Sequence, residues 1–484
     1  MRLIYILKAL GLILKAIALV MLVPIIVALI YKEYLIIGPF IASSIFSFLL
    51  GSIMSQSSSC LENINDIKKT EALLITALAW MTFGLVAAVP YLSCDISLID
   101  SLFEAFSGIT TTGATIINDY SIYPHALFFW RSFTQWLGGM GIIVLFIAVL
   151  PQFAVAGRQM FFTEAPGPTE QKITPRIRNT ANYLWKIYVI LTLLEIIILK
   201  YLGMPLFPAI CNSLSTLAAG GLSPEATSFI NYSTPIIWTV FGFMFLSGVS
   251  FPLIYNVIAK KNILLLWKDE EFKTYTAIIG ILTLLIALIL FLQSDYSFAT
   301  AIRDSAFQVV SFLTTTGFVN VDYNNWTFDA KMFLFILFFI GGCSGSAAGG
   351  LKVIRAMFVW KLLKREISRL LHPNGIYNIK INRVIFPEDV NKQITAFVMF
   401  YFAIFAISAF LVILIEKNIV IGFTGAIATL GNVGPAFGAL APSESFSGLS
   451  TFSKIIFIIN MVVGRLELIP FLAMLHPDFW ILKK

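Results

Sequence analysis

The chain has 484 residues, 58% of them hydrophobic and 12% charged, with a mean hydropathy of +0.88. A soluble domain carries roughly 25% charged residues, and no soluble core could hide this much hydrocarbon, so a soluble enzyme and a disordered chain are both excluded. The net charge of +7 comes from 33 basic against 26 acidic residues, an excess that in a membrane protein reflects cytoplasmic loops and not nucleic-acid binding.

In chain order, ten stretches are long and apolar enough to cross a bilayer, which takes about 20 residues each. They lie near 9–30, 35–56, 71–93, 127–150, 183–203, 235–258, 274–293, 329–360, 393–415 and 453–475. The first follows Arg2 and Lys8 as a secretory signal would. No small-residue cleavage site closes it, and a second apolar stretch follows at once, so the pair reads as a retained N-terminal hairpin.

Basic residues set the sidedness. Segment 352–392 holds nine: Lys352, Arg355, Lys361, Lys364, Arg365, Arg369, Lys380, Arg383 and Lys392. Segments 151–186 and 259–273 add more, whereas 92–130 and 202–236 contain no Lys or Arg. The positive-inside rule then places the basic segments and both termini in the cytoplasm. The cysteines (Cys60, Cys94, Cys211, Cys343) and histidines (His125, His372, His476) are too scattered to suggest a disulfide framework or a metal cluster.

The outward connections after the hairpin are semi-apolar and rich in Gly and Thr. Residues 100–113 read DSLFEAFSGITTTG and 304–317 read DSAFQVVSFLTTTG, eight of fourteen positions matching at an offset of 204. Two degenerate copies end at Gly220-Gly221 and at Gly434, so that Gly113, Gly220, Gly317 and Gly434 stand 107, 97 and 117 residues apart. Such a period indicates a repeat architecture of span, short apolar helix, glycine turn and span. Non-helical backbone enters a membrane only where it lines a cavity or is buried in protein. Four such turns can surround a dehydrated cation with carbonyl oxygens, and the C-terminal ends of four short helices add partial negative charge there. On the expected outer face, eleven acidic residues (Asp95, Asp100, Glu104, Asp119, Glu225, Asp295, Asp304, Asp322, Asp329, Glu416, Glu444) stand against Arg303 and Lys417, the sign expected of a mouth that concentrates cations.

These loops resemble the Trk/Ktr/HKT superfamily of potassium transporters. The run Trp130-Arg-Ser-Phe-Thr-Gln-Trp-Leu-Gly-Gly-Met-Gly-Ile142, the segment Pro166-Gly-Pro168 to Pro175-Arg-Ile-Arg178, and Gly464-Arg-Leu-Glu467 are similar to its TrkH/TrkG branch. The resemblance covers essentially the whole chain. It implies an all-α membrane protein with ten transmembrane helices: an N-terminal hairpin (1–60) and four pseudo-repeated M1-P-M2 units (61–155, 156–260, 261–365, 366–484) with re-entrant pore loops around one pore. It implies K+ as the transported ion, no organic cofactor, a homodimer in the cell inner membrane and a cytoplasmic nucleotide-binding regulator of the TrkA type. Carried over residue by residue, the K+-binding filter is Thr111, Thr112 and Gly113; Ala218, Ala219 and Gly220; Thr315, Thr316 and Gly317; and Asn432, Val433 and Gly434. None of these loops reads T-V-G-Y-G, so discrimination against Na+ is expected to be looser than in a potassium channel, and Rb+ should pass.

Two features suggest a gate. The eighth stretch is interrupted by Gly341-Gly342-Cys-Ser-Gly345-Ser-Ala-Ala-Gly349-Gly350, and glycine weakens a helix by about 1 kcal/mol per residue relative to alanine. Small-residue helix packing is the alternative, since Gly345 and Gly349 fit a G-x-x-x-G spacing; the resemblance implies an intramembrane loop that obstructs the pore. Arg465, in an otherwise apolar final span, is costly unless it faces a cavity or a partner. It reads either as a fixed positive charge below the filter or as a guanidinium satisfied by backbone carbonyls; Glu467, two residues on, points to a different face, and Glu195, in the fifth stretch, is another candidate partner. The glycines of 138–141 read as close-packing positions, and the basic run 361–369 as a surface for lipid headgroups, regulator or solvent. A membrane-embedded enzyme would need clustered titratable groups at mid-membrane, where the spans offer mainly isolated Glu195, Arg465 and Glu467. Uptake of K+ follows as the expected function, with channel-like flow and H+- or Na+-coupled symport both open.

Overall fold

The computed structural model describes residues 3–56, 69–148, 173–382, 384–442, 444–466, 474 and 477. Helices α1 (Leu3–Val20) and α2 (Val23–Ile30) run out, and α3 (Ile37–Gln56) returns along α1. They touch at Gly11 and Gly51, where a Cβ on either would strike the other's backbone carbonyl.

Four times thereafter the chain runs long helix, short buried helix, extended segment, second helix. The first set is α4 (Lys69–Ala87), α5 (Leu98–Ile109) and α6 (His125–Ala148). The second is α7 (Ile173–Tyr201), α8 (Leu206–Ala218) and α9 (Thr234–Ser247), which α10 (Phe251–Lys260) continues. The third is α11 (Glu270–Gln293), α12 (Phe298–Leu313), α13 (Phe328–Leu337) and α14 (Val353–Leu371). A two-residue antiparallel hairpin, β1 (Lys380–Ile381) and β2 (Val384–Ile385), leads to the last: α15 (Glu388–Glu416), α16 (Ile419–Leu430) and α17 (Thr451–Arg465).

Local chemistry starts the short helices where it must. Ser97 Oγ accepts from the Asp100 N–H, Ser297 Oγ from Thr300 N–H, and Asn418 Oδ1 from Val420 and Ile421 N–H. Each satisfies first-turn amides that have no helical partner. Each short helix then packs between the two flanking helices of its own set. Neighbouring sets lock together through the same kind of contact: α6 lies on α8, α9 on α12, and α17 on α5. Between the third and fourth sets the seam is aromatic, with Phe335 and Phe338 against Phe437. The sets therefore form a closed ring.

Among the described residues six segments are long and apolar enough to cross a membrane: Leu3–Ile30, Tyr34–Ser55, Thr70–Leu92, Asn182–Tyr201, Glu270–Gln293 and Glu388–Glu416. Thr234–Ser247 with Phe251–Lys260 would make a seventh, but the two helices meet at 96°. The apolar stretch expected over 235–258 is thus a bent pair. Its break falls at Gly248, with Pro252 inside the first turn of α10, where the missing N–H is harmless. The stretch 329–360 is two helices separated by non-helical residues, with the second continuing to Leu371. Large apolar side chains such as Ile197, Leu284, Leu292, Met399, Ile407 and Phe410 are exposed, as on a lipid-facing surface, while Thr, Gln, Glu and Arg side chains are buried inside.

Candidate functional site

Each short helix ends in the same backbone figure. Thr111, Ala219, Thr315 and Asn432 take left-handed angles, φ +53°, +55°, +56° and +55°. Two residues later comes a left-handed glycine: Gly113, Gly221, Gly317 or Gly434, at φ +83°, +75°, +79° and +96°. The residue between them turns its amide back into the helix. Thr112 N–H donates to Ser107 O (2.9 Å), Gly220 to Ser215 O (3.0 Å), Thr316 to Ser311 O (2.9 Å) and Val433 to Ala428 O (2.8 Å). In three copies the same serine ties down the strand beyond: Ser107 Oγ donates to Ala114 O, Ser215 Oγ to Leu222 O and Ser311 Oγ to Phe318 O, at 2.5–2.7 Å. A left-handed non-glycine residue costs roughly 1–2 kcal/mol, and four equivalent ones held by surrounding bonds mark a functional backbone.

This register corrects one alignment. The second loop is Ala219, Gly220 and Gly221, so Gly221 is the counterpart of Gly113, and Ala218 matches Thr110 at the end of the helix. Two adjacent glycines left the sequence spacing free to slip by one, and the sign of φ decides between them.

The four loops meet one another in cyclic order. A Cβ on Gly113 would strike Gly220 O, one on Gly221 would strike Thr316 O, one on Gly317 would strike Val433 O, and one on Gly434 would strike Thr112 O. Each glycine therefore admits the carbonyl of its neighbour, and the last closes on the first. Side chains brace the ring differently in each copy. The hydroxyls of Thr110 and Thr112 are 2.8 Å apart, and those of Thr314 and Thr316 are 2.7 Å apart. Asn432 Nδ2 donates to Thr112 Oγ1 (2.9 Å) and Met461 O (3.0 Å).

Behind the first loop lies an ion pair that the expected acidic mouth did not anticipate. Glu104 is fully buried, accepting from Arg131 Nε (3.1 Å), Thr115 Oγ1 (2.5 Å) and Ile116 N–H (2.7 Å). In the third copy Gln308 Nε2 donates to Asn320 Oδ1 (3.0 Å) and Asn320 Nδ2 to Asp304 Oδ1 (2.8 Å), while Arg303 also pairs with Asp304. Asp100 is paired with Lys454 at 2.6 Å. Glu104 and Asp304 are thus buried struts, and Asp100, partly exposed, is held by Lys454. In the segment after the second loop, Glu225 accepts from the Tyr232 hydroxyl (2.9 Å). Burial raises its carboxyl above the ordinary range, an effect this bond opposes.

Beneath the ring runs the glycine segment between α13 and α14. It is non-helical, with Gly345 and Gly350 left-handed at +75° and +66°. Gly341 N–H donates to Leu351 O (2.7 Å), Cys343 N–H to Gly248 O (2.8 Å) and Ala347 N–H to Ser247 O (3.2 Å). Gly349 N–H reaches Thr315 Oγ1 (2.7 Å), and a Cβ on Gly349 would press on Gly431 O and Asn432. A Cβ on Gly342 would meet Ala348 and Gly248 O. These glycines make close backbone approaches outside any helix, so the G-x-x-x-G helix-packing alternative is corrected. Arg465, 2% exposed, donates to Ala347 O (3.0 Å) in this segment and to Gly138 O (3.2 Å) on α6. Glu195 is buried on α7, and Glu467 lies outside the described residues. Gly138 and Gly139 pack against Ile109 O and Ala218, as close-packing positions should.

Two functional side chains escaped the sequence reading. Glu271, at the head of α11, accepts from Ser344 N–H (2.6 Å) and Ile354 N–H (3.2 Å), holding both the glycine segment and the first turn of α14. Its only sequence signal was the acidic run 269–271. Gln135, one turn from Arg131 on α6, bonds to the second loop; the i, i+4 polar pair inside an apolar stretch was the available signal.

Residues 40–478 match the TrkH family, described as cation transport protein. The Trk system potassium uptake protein TrkH of Salmonella typhimurium is 37% identical over 467 residues, covering 95% of each chain, and that of Escherichia coli K12 is 36% identical over the same share. The crystal structure of the potassium transporter TrkH from Vibrio parahaemolyticus superposes with a TM-score of 0.91 at 33% identity, covering 99% of this chain and 100% of that one.

Proposed function

The chain belongs to the TrkH family of cation transport proteins, membrane transporters and not enzymes, and from that premise we propose that it takes up K+ through one central pathway. The carrying observation is the cyclic contact of the four left-handed loops, in which each glycine admits a backbone carbonyl of its neighbour; on this reading the twelve carbonyls of the loops line one central axis. The filter residues are Thr111, Thr112 and Gly113; Ala219, Gly220 and Gly221; Thr315, Thr316 and Gly317; and Asn432, Val433 and Gly434. Their carbonyls replace the hydration shell of K+, and the C-terminal ends of α5, α8, α12 and α16 supply partial negative charge to the same point. Rb+, close to K+ in size, passes too.

The gate lies on the cytoplasmic side: Gly341, Gly342, Gly345, Gly349 and Gly350 shape a movable segment beneath the filter, and Arg465 latches it through Ala347 O. The bonds from Gly349 to Thr315 and from Arg465 to Ala347 and Gly138 support this reading. The proposal extends to ten spans in an N-terminal hairpin and four pore units divided near 60, 155, 260 and 365, in the cell inner membrane with both termini cytoplasmic. A homodimer and a TrkA-type nucleotide-binding regulator complete the assembly, the regulator meeting the basic end of α14.

The test is cation flux into liposomes holding the purified chain, comparing K+, Rb+, Na+ and Li+ with and without a proton ionophore. Downhill flux favouring K+ and Rb+, needing no Na+ or H+ gradient, is expected. Flux that starts only when such a gradient is imposed would replace the channel with a symporter on the same filter.

A further inference from the structure

The second loop is built unlike the other three. Its middle residue is Gly220, where the other copies carry Thr112, Thr316 and Val433, and the residue matching Thr110 and Thr314 is Ala218. It therefore has neither the hydroxyl pair of the first and third loops nor the bridging amide of the fourth. The place of the missing side chain is nonetheless filled. A Cβ on Gly220 would lie 2.5–2.8 Å from Cδ, Oε1 and Nε2 of Gln135, which arrives from α6 of the preceding set. The Gln135 amide is wholly buried and makes two bonds to the loop: its Nε2 donates to Gly220 O (2.5 Å), and its Oε1 accepts from Leu222 N–H (3.1 Å). A carbonyl needs a donor and an amide an acceptor, so the two partners fix which end of the side chain is which.

The corresponding positions on the other second helices differ. Gly139 on α6 packs against Ala218 and the Tyr188 hydroxyl, just as Gly248 at the end of α9 packs against Thr314 and the Tyr275 hydroxyl. Gly138 meets Ile109 O as Gly464 meets Leu430 O. Counting back from these anchors, Gln135 corresponds to Met244 on α9 and Met461 on α17, both buried. A polar amide faces the loop whose middle residue is glycine, and a methionine stands at the counterpart position against the first and third loops, whose middle residue is threonine.

We infer that Gln135 is a specificity-determining residue of the ion pathway: it stands in, from a neighbouring unit, for the absent side chain at Gly220 and sets the angle of that carbonyl toward the ion. The inference rests on the pore reading above. Gln135 does not itself coordinate the ion; it is a positioning residue whose loss frees one carbonyl of the ring to rotate. Selectivity depends on the number and field of coordinating carbonyls, so the K+ to Na+ ratio is the quantity it governs.

The experiment measures K+ and Na+ flux in liposomes for the full chain and for Gln135→Met, Gly220→Thr and the double variant, with monodispersity and thermal stability measured beside them. Methionine keeps the volume and removes the amide. Gln135→Met should lower the K+ to Na+ ratio by roughly fivefold to tenfold, the order set by one lost hydrogen bond to a buried carbonyl, and raise the KM for K+ while total cation flux persists. Gly220→Thr alone collides with Gln135 and should be worse. Gln135→Met with Gly220→Thr gives the second loop the methionine and the threonine that the first and third loops have at these positions and should recover much of the ratio. A wild-type ratio in Gln135→Met, or a double variant no better than the poorer single, overturns the inference. Absence of selective flux in the wild type would instead overturn the pore reading itself. Should Gln135→Met not fold, Gln135→Glu, which keeps the shape and reverses the donor, must lower the ratio for the inference to stand.

Discussion

Gly221→Ala and Gly220→Ala separate the two registers of the second loop. Gly221 sits at φ +75°, where a Cβ costs roughly 1–2 kcal/mol in backbone energy alone. The added methyl also falls on the backbone carbonyl of Thr316, which belongs to the next loop and cannot swing aside as a side-chain end would. Overpacking of that kind costs about 1–3 kcal/mol. The substitution should therefore cost about 2–5 kcal/mol, concentrated on the junction between the second and third loops. Gly220 has no left-handed requirement, and its methyl meets the flexible end of Gln135, so the penalty there is about 1 kcal/mol. Thermal unfolding in detergent and K+ to Na+ flux in liposomes report both effects. Gly221→Ala should lose most flux and several degrees of stability, whereas Gly220→Ala should keep most of the stability and lower the K+ to Na+ ratio only as far as it displaces the Gln135 amide. The register is wrong if Gly220→Ala costs as much stability as Gly221→Ala, or more.

Other perturbations follow from the same contacts. Arg465→Ala removes the bonds to Ala347 O and Gly138 O and should raise basal K+ flux in the absence of any regulator; flux at the wild-type level makes Arg465 a packing residue. Glu104→Gln leaves Arg131 buried with a neutral partner, a loss of about 3–5 kcal/mol by the usual cost of breaking a buried pair. Glu104→Gln with Arg131→Met should cost less than Glu104→Gln alone, and a melting series in which the costs simply add would refute that coupling. Deleting residues within 341–350 should leave a folded but leaky protein, measured as K+ efflux from loaded liposomes; loss of folded protein would assign the segment to packing.

Much of this arrangement was legible in the sequence because its demands are strong. Apolar length signals a bilayer, and the fragment T-T-T-G, repeated in matched context, signals a turn that few residues tolerate. The glycine interruption at 341–350 is conspicuous for the same reason. The misreadings lie where weaker rules compete. Adjacent glycines at 220 and 221 satisfy spacing equally well, and only the left-handed angle distinguishes them. A carboxylate in an outer segment counts as mouth charge by topology, yet Glu104 is buried because Arg131, 27 residues on, comes within 3.1 Å. The bend near 248 was invisible to hydropathy, since Gly248 and Pro252 interrupt the helix without lowering its apolar content. Gln135 and Glu271 were missed because their partners are backbone amides and carbonyls, which carry no sequence signature.

The pattern of these misses bears on how one chain maintains a four-part ring. In an assembly of identical subunits each loop must be braced by the same side chains. Here the backbone figure is kept four times while its bracing differs: hydroxyl pairs at 110/112 and 314/316, a borrowed amide from Gln135, and Asn432 reaching across to Thr112 and Met461. The left-handed figure and its returning amide are common to all four copies, whereas the side chains that brace them are local. Substitutions in different loops should thus shift selectivity unequally even at equivalent positions. The second loop, with its support on a different unit, is the one whose carbonyl angle also depends on how α6 sits. That helix carries Gly138, whose carbonyl receives Arg465, so the support of the proposed filter and the proposed latch share one helix. On the proposed gating, a movement of the glycine segment that pulled on Arg465 would reach α6 within one turn of Gln135, with no contact needed between the ion and the latch.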